Sequence, residues 1–431
     1  MDNLTNKLLS IVKSFWSALS ADRFSCEVAL SGGIDSVVLL HLLKRLRAVY
    51  PDLDLSAIHI HHGLQDIADE WVFFCQNLCD KWQIPLTIQK VTVDKQSSLG
   101  IEAAARQARY QAFSGSLKKV LALAHHQNDQ IETFFLSVLR GGGVRGMASM
   151  PVVRPLNDKI LWRPLLGVSR QEIEHYAKIN HLPFVEDPTN SNPNYTRNYL
   201  RHLWLPEIEK KIPHLNRQIE SNIKQLQHAL AILDEVAQED LQKISPNPKM
   251  LDLHQWTKLS CERRLEVLYL FIKNNNLPMP ERNCLTAFAN QLFRQPEQYG
   301  ELTLTNRLQN NNELNGLYAQ YGFLWAFANF SGSLNTEWQT ADKGLPENII
   351  ATLTCRQVNK HDTIRTHIGH KSVWKLLQEK KIPKFIRRHW LVWVDARNQC
   401  VAVANLRCDE TLAVKNGKMP QIEALQHFQV A

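Results

Sequence analysis

Eight cysteines are scattered through the chain without one CxxC pair: Cys26, Cys75, Cys79, Cys261, Cys284, Cys355, Cys400 and Cys408. That spacing argues against a zinc ribbon, an iron–sulfur centre and a disulfide framework. No apolar run reaches membrane-spanning length. The amino terminus lacks the layout of a signal peptide; Leu4, Leu8, Ile11 and Phe15 instead form one face of an amphipathic helix, with Lys7 and Lys13 between them. The expectation is a cytoplasmic protein without membrane contact. There is no internal repeat, and no glycine loop ends in the Gly-Lys-Ser/Thr of a Walker A motif.

What is present points to a soluble α/β protein. Its 431 residues imply two or three domains, and 44% hydrophobic with 21% charged residues is ordinary for globular chains. A formal net charge of +8 favours a polyanionic partner.

One loop stands out. Ser31-Gly32-Gly33-Ile34-Asp35-Ser36 follows the short apolar run 27–30 and precedes a segment whose leucines and valines recur at helical spacing. A strand turning through two glycines into a helix brings unpaired N–H groups and the positive end of a helix dipole to one point. That is an anion site, with phosphate the first candidate. Ser31 and Ser36 add hydroxyls. Asp35 would repel a bare phosphate, so it makes most sense beside a Mg²⁺ ion carrying that phosphate.

Strands are expected at 55–60, 86–93 and 120–124, and helices at 66–82, 101–114 and 129–139. This alternation implies βαβ units: a doubly wound, mainly parallel sheet whose ligands bind beyond the carboxyl ends of the strands. Three polar clusters fall at such ends: Ser31–Ser36, His61-His62-Gly63, and His125-His126 running into Asp129. Further on, Ser169 and Glu172 read as a capping box. A long helical stretch covers about 208–243, helices occupy 251–294, short strands 300–330, and a linker lies near 344–348. The expected domains are therefore 1–215 (catalytic), 216–343 (mostly helical) and 344–431 (small, mixed α/β).

Asp129 and Glu132 share a helix face at i, i+3, suited to Mg²⁺ or to an amine substrate, or simply to a solvated acidic helix start. Arg106 and Arg109 share a face, as do Arg197 and Arg201. The histidine pairs have no third ligand at zinc spacing. Lys380, Lys381, Lys384, Arg387 and Arg388 crowd a short stretch, with Lys371 and Lys375 before it.

The loop at Ser31 resembles the pyrophosphate loop of the N-type ATP pyrophosphatases. The fuller series is similar to the bacterial tRNA(Ile)-lysidine synthetase family. It comprises His61-His62-Gly63-Leu64, Ala105-Arg106-Gln107-Ala108-Arg109-Tyr110, Ala124-His125-His126 through Asp129-Gln130-Ile131-Glu132-Thr133, Arg140-Gly141, and Asp187-Pro188-Thr189-Asn190 with Arg197-Asn198. The likeness is strongest over 25–207 and resumes around 362–388. Two departures are Asn128, where the family often has aspartate, and Tyr199, where it often has arginine.

The resemblance implies an adenine nucleotide alpha hydrolase-like fold and a two-step ligation. ATP adenylates O2 of a cytidine at the first anticodon position of a CAU-anticodon isoleucine tRNA, and the amine of free lysine then displaces AMP to leave lysidine. It assigns Ser31, Gly32, Gly33, Ile34, Asp35, Ser36, His61 and His125 to ATP, with Asp35 on Mg²⁺. Asp129 and Glu132 would receive lysine, with Arg197 or Arg201 on its carboxylate or on phosphate. Lys371, Lys380, Lys381, Lys384, Arg387 and Arg388 would meet tRNA, and a homodimer stays open as the assembly. Two rival readings are a tRNA thiolase with the same loop, and an RNA-binding protein with a dead nucleotide site. A thiolase would need a reactive cysteine near the crevice, and no expected loop of the first domain carries one.

Overall fold

The computed structural model describes residues 3–19, 25–63, 67–93, 101–116, 118–188, 195–304, 314–330, 335–426 and 428. The chain divides into two compact units, Met1–Leu230 and Ala231–Ala431.

In the first unit α1 (Asn3–Leu19) leads to β1 (Ser25–Ala29), α2 (Ile34–Leu46), β2 (Asp54–His61), α3 (Ala68–Trp82), β3 (Leu86–Lys90), α4 (Ile101–Ser114), β4 (Val120–Ala122), α5 (Gln127–Leu139) and α6 (Gly143–Met147). A hairpin, β5 (Val153–Leu156) and β6 (Lys159–Trp162), precedes α7 (Arg170–Ile179), α8 (Thr196–Tyr199), a π turn at Leu200–Trp204 and α9 (Leu205–Lys211). The sheet runs β3-β2-β1-β4-β6-β5. Every pairing is parallel except β5 with β6. Strand order reverses between β1 and β4, and in a doubly wound sheet that switch point is where ligands bind.

Burial explains the elements. The two faces of α2 are both apolar, and Val37, Val38, Leu39, Leu40, Leu42, Leu43 and Leu46 are completely buried, so this helix is enclosed rather than half-solvated. Truncating one of these leucines to alanine should cost about 2–5 kcal/mol. The amphipathic α1 packs through Leu4, Leu8, Val12, Phe15 and Trp16, with Phe15 stacked on Trp162 at 4.5 Å. Ser169 and Glu172 do form a reciprocal capping box at α7.

The second unit begins within α10 (Leu215–Ile244) and continues through β7 (Met250–Asp252), α11 (Leu253–Trp256), α12 (Cys261–Asn274), α13 (Arg282–Arg294), β8 (Gly300–Thr303), β9 (Leu314–Gln320) and β10 (Phe323–Phe330). These strands form a sheet ordered β7-β10-β9-β8 with a core on each face. Leu317, Ala319, Leu324 and Ala326 pack with α12 and α13, while Tyr318, Trp325 and Phe327 pack with Phe385, Trp390 and the strands after 337. The middle and carboxy-terminal segments thus share one sheet with a core on each face. The two compact units meet at 230/231, inside α10.

Candidate active site

Beyond β1 the chain turns through Gly32, whose φ of +89° excludes most side chains; a Cβ there would also meet Val185 Cγ2 at 2.8 Å. The Gly32 carbonyl accepts from Val185 N–H at 3.0 Å, so the turn is tied to the segment after α7. Ser36 Oγ donates to Gly33 O at 2.8 Å and accepts from Ser31 N–H at 3.2 Å. Gly33 is the N-cap of α2 and provides no side-chain cap, which leaves the first amides of that helix available to an anion.

A cavity of about 390 Å³ opens beside this loop, lined by Ser31, Gly33, Asp35 and Ser36 and by His62, Arg109 and His125. Its apolar wall includes Ile58, Ile60, Phe113 and Leu123. Of the expected ATP-site residues, Ser31, Gly33, Asp35, Ser36 and His125 line this cavity, and His61 and Ile34 do not. His61 does not line the cavity: its Nε2 lies 3.1 Å from Asp69, and at the end of β2 its neighbour His62 turns inward instead. Ile34 is buried and backs the loop from the α7 side. Burial pushes both His62 and His125 down to about 4, so both are neutral near pH 7.

A chain of charges leads away from the loop. Arg170 Nη1 donates to both Asp35 oxygens at 2.9 Å. His126 Nε2 stands 3.8 Å from Asp35 and 3.6 Å from Asp129. Asp129 accepts from Arg197 at 2.8 Å and Arg201 at 3.1 Å; Glu132, 1% exposed, accepts from their Nε atoms at 2.6 Å each. The i, i+3 carboxylates of α5 therefore face the i, i+4 guanidiniums of α8 and the π turn that follows. Such widened turns re-aim side chains and recur at functional sites. Burial raises the Asp35 carboxyl above its ordinary value despite His126 and Arg170. Burial acts the same way on Asp129, but His126, Arg197 and His125 overcome it and the net shift is downward. Tyr199 is 48% exposed and stands outside this cluster. Arg170 was not legible as a site residue; its one signal is a cation in the first turn of a helix, where the dipole disfavours it.

In the second unit, Lys375, Lys380, Lys381, Lys384 and Arg388 are exposed. Lys371 is paired with Glu379. Arg387 corrects the expectation for this segment: it is 6% exposed and donates to Ile382 O at 2.8 Å and to Tyr321 Oη at 3.1 Å, holding the core rather than facing solvent. Of the Asp187–Asn190 motif, Asp187 lines the cavity, while Thr189 and Asn190 lie outside the described residues.

A PP-loop domain model matches residues 3–208. The tRNA(Ile)-lysidine synthase of Neisseria meningitidis serogroup B is 40% identical over 417 residues, 91% of this chain and 94% of that protein. The chain belongs to the tRNA(Ile)-lysidine synthase family. The Chromobacterium violaceum member is 35% identical over 434 residues, covering 94% of this chain and 97% of its own. Among solved structures, a U34-tRNA thiolase from Methanococcus maripaludis aligns with a TM-score of 0.44 at 18% identity, over 52% of this chain and 80% of its own. Family membership carries ATP use with it, and no helix among the described residues is long and apolar enough to cross a membrane.

Proposed function

We propose that this protein ligates lysine to C2 of the wobble cytidine of a CAU-anticodon isoleucine tRNA, forming lysidine in the cytoplasm. One observation carries the reading within the family. The phosphate loop and the paired carboxylates of α5 belong to a single continuous charge network, Asp35–His126–Asp129–Arg197/Arg201–Glu132.

In the first step cytidine O2 attacks the α-phosphorus of ATP, and the bond to the β-phosphate oxygen breaks. Ser31, Gly33, Ser36 and the open amides of α2 hold the departing pyrophosphate in this reading, which the uncapped start of α2 supports. In the second step the lysine Nε attacks C2, the C2–O bond breaks, AMP leaves and the amine gives up a proton. Asp35 is a hard oxygen donor, partly exposed at the cavity, and suits Mg²⁺ arriving on ATP phosphates with one protein carboxylate. When bound, that ion offsets charge at the α-phosphorus. No group of three or more His, Cys, Asp or Glu among the described residues offers a self-sufficient metal site.

Both oxygens of Glu132 accept from guanidiniums, so a lysine ammonium entering there shares the carboxylate with Arg197 and Arg201 or displaces one of them. A displaced guanidinium would meet the lysine carboxylate or a phosphate. The exposed cations at 375–388 supply phosphate contacts to the tRNA. The thiolase alternative is a distant structural neighbour only, and in the first unit Cys26, Cys75 and Cys79 are buried with their thiols pushed up to about 12, 12 and 11 by burial, unsuited to sulfur transfer. Incorporation of labelled lysine into tRNA, with ATP present or omitted, tests the proposal.

A further inference from the structure

Around Tyr110 the first unit gathers guanidiniums, with no carboxylate paired to them among the described side chains. Arg106 and Tyr110 share α4, Arg154 lies on β5, and Arg163 follows β6 directly. The guanidinium carbons of Arg106 and Arg154 stand 5.1 and 5.2 Å from the Tyr110 ring centre, and Arg106 donates to the phenol oxygen at 3.4 Å. Arg163 is 2% exposed; its Nη1 donates to Pro151 O at 2.8 Å, yet its Nε and that of Arg154 are buried without a hydrogen-bond partner. The cations bearing on Arg163 are Arg154 and Arg106, and those bearing on Arg109 are Arg106 and Arg197.

Buried donors left unpaired and like charges held together both cost stability. Cation–π contact with one tyrosine recovers only part of that. Arg163 is held from within by Pro151 O and a side-chain hydrogen bond to Tyr110, whereas the accessible guanidiniums of Arg106 and Arg154 face each other across that ring, and an anion supplied from outside would offset their repulsion. The planar guanidinium fork matches phosphate. Arg109, one turn along α4 from Arg106, lines the nucleotide cavity, so the cluster adjoins the reacting centre. The ATP phosphates already have their cradle after β1. Arg163 follows β6, two strands across the sheet, about 10 Å from β1 at normal strand spacing.

We infer that Arg106 and Arg154 form a phosphodiester-binding site, with Tyr110 as the positioning residue between them and buried Arg163 behind it, that grips the RNA strand beside the base being modified. The inference rests on the ligation reading above, because it takes the anticodon strand as its ligand.

Arg154→Ala and Arg106→Ala test it, the second being an exposed side chain that folding tolerates. The probe is a synthetic anticodon stem-loop RNA, titrated at several salt concentrations, with ATP affinity measured by calorimetry on the same samples. Each variant should bind the RNA about tenfold more weakly, with a log–log salt slope shallower by roughly 0.7 to 0.9, and bind ATP as wild type does. Unchanged RNA affinity and slope in both variants would overturn the site. So would a loss confined to ATP, which would make the cluster a triphosphate contact. Lysine incorporation by the wild-type protein, run in parallel, separates the two readings. Incorporation with unaltered RNA binding in the variants refutes the phosphodiester site alone. Weakened RNA binding in the variants with no incorporation by wild type refutes the ligation alone.

Discussion

Arg170, in the first turn of α7, holds Asp35, in the first turn of α2, with one nitrogen 2.9 Å from both carboxylate oxygens. Two helix starts are thereby pinned together at the phosphate loop. A cation at a helix N-terminus opposes the dipole, so its place is set by the carboxylate it meets.

Asp35→Asn should abolish tRNA-dependent pyrophosphate release while leaving the fold intact. Burial raises the folded-state pKa of Asp35, so the stability linked to this group is present below its ordinary value and lost as pH rises through the folded one. Near neutral pH the ionised carboxylate is therefore a net cost. The asparagine variant should melt no lower than wild type at pH 7, by calorimetry. A lower melting temperature would assign Asp35 a structural role, and normal turnover would remove it from the phosphate site.

Glu132→Gln leaves two guanidiniums facing one weaker acceptor. It should destabilise the first unit by about 2–4 kcal/mol and raise the lysine requirement more than the ATP requirement. Steady-state kinetics with each substrate varied in turn decide this; equal effects on both would point to a shared phosphate or metal role.

The alternation of strands and helices through the first 140 residues was legible because the short apolar runs of β1, β2 and β4 alternate with longer segments whose apolar residues recur at helical spacing. The hairpin β5–β6 was not: four-residue strands interrupted by Pro155 give too short a pattern, and proline is tolerated there because β5 is an edge. The residues Asp129, Glu132, Arg197 and Arg201 were legible singly as candidates. Their mutual pairing was not, since it closes over 65 to 72 positions and depends on a π turn that no local spacing announces. His61 and His62 are adjacent, and only the point where β2 ends decides which of them lines the cavity. In the second unit the run Phe323-Leu324-Trp325-Ala326-Phe327 carried information that the reading did not use: continuous apolarity marks a strand covered on both faces.

Acid should act on the first unit through His62 and His125. Burial lowers both from 6.5 to about 4. A depressed pKa contributes stability that is present above the unfolded value and lost as pH falls through the folded one. Each group is worth on the order of 3 kcal/mol across that window. Urea midpoints should fall markedly between pH 6.5 and about pH 4.5, and the replacement of both histidines by glutamine should flatten that dependence. An unaltered acid slope in the double variant would contradict it.

Lys381→Glu combined with Arg388→Glu should weaken tRNA binding and flatten its salt slope by up to roughly 0.9 for each phosphate no longer neutralised. Arg387→Ala should behave differently, lowering thermal stability because its guanidinium serves Ile382 O and Tyr321 Oη inside the core. If tRNA affinity and salt slope are unchanged in the double variant, the exposed cations of 375–388 are a solvated surface.

The most direct measurement is transfer of radiolabelled lysine to unfractionated tRNA by the purified protein. The account predicts ATP-dependent labelling confined to a CAU-anticodon isoleucine tRNA, with AMP and pyrophosphate released in equal amounts, and no labelling by Asp35→Asn. Labelling without ATP, or ATP cleavage that leaves the tRNA without lysine, would contradict it.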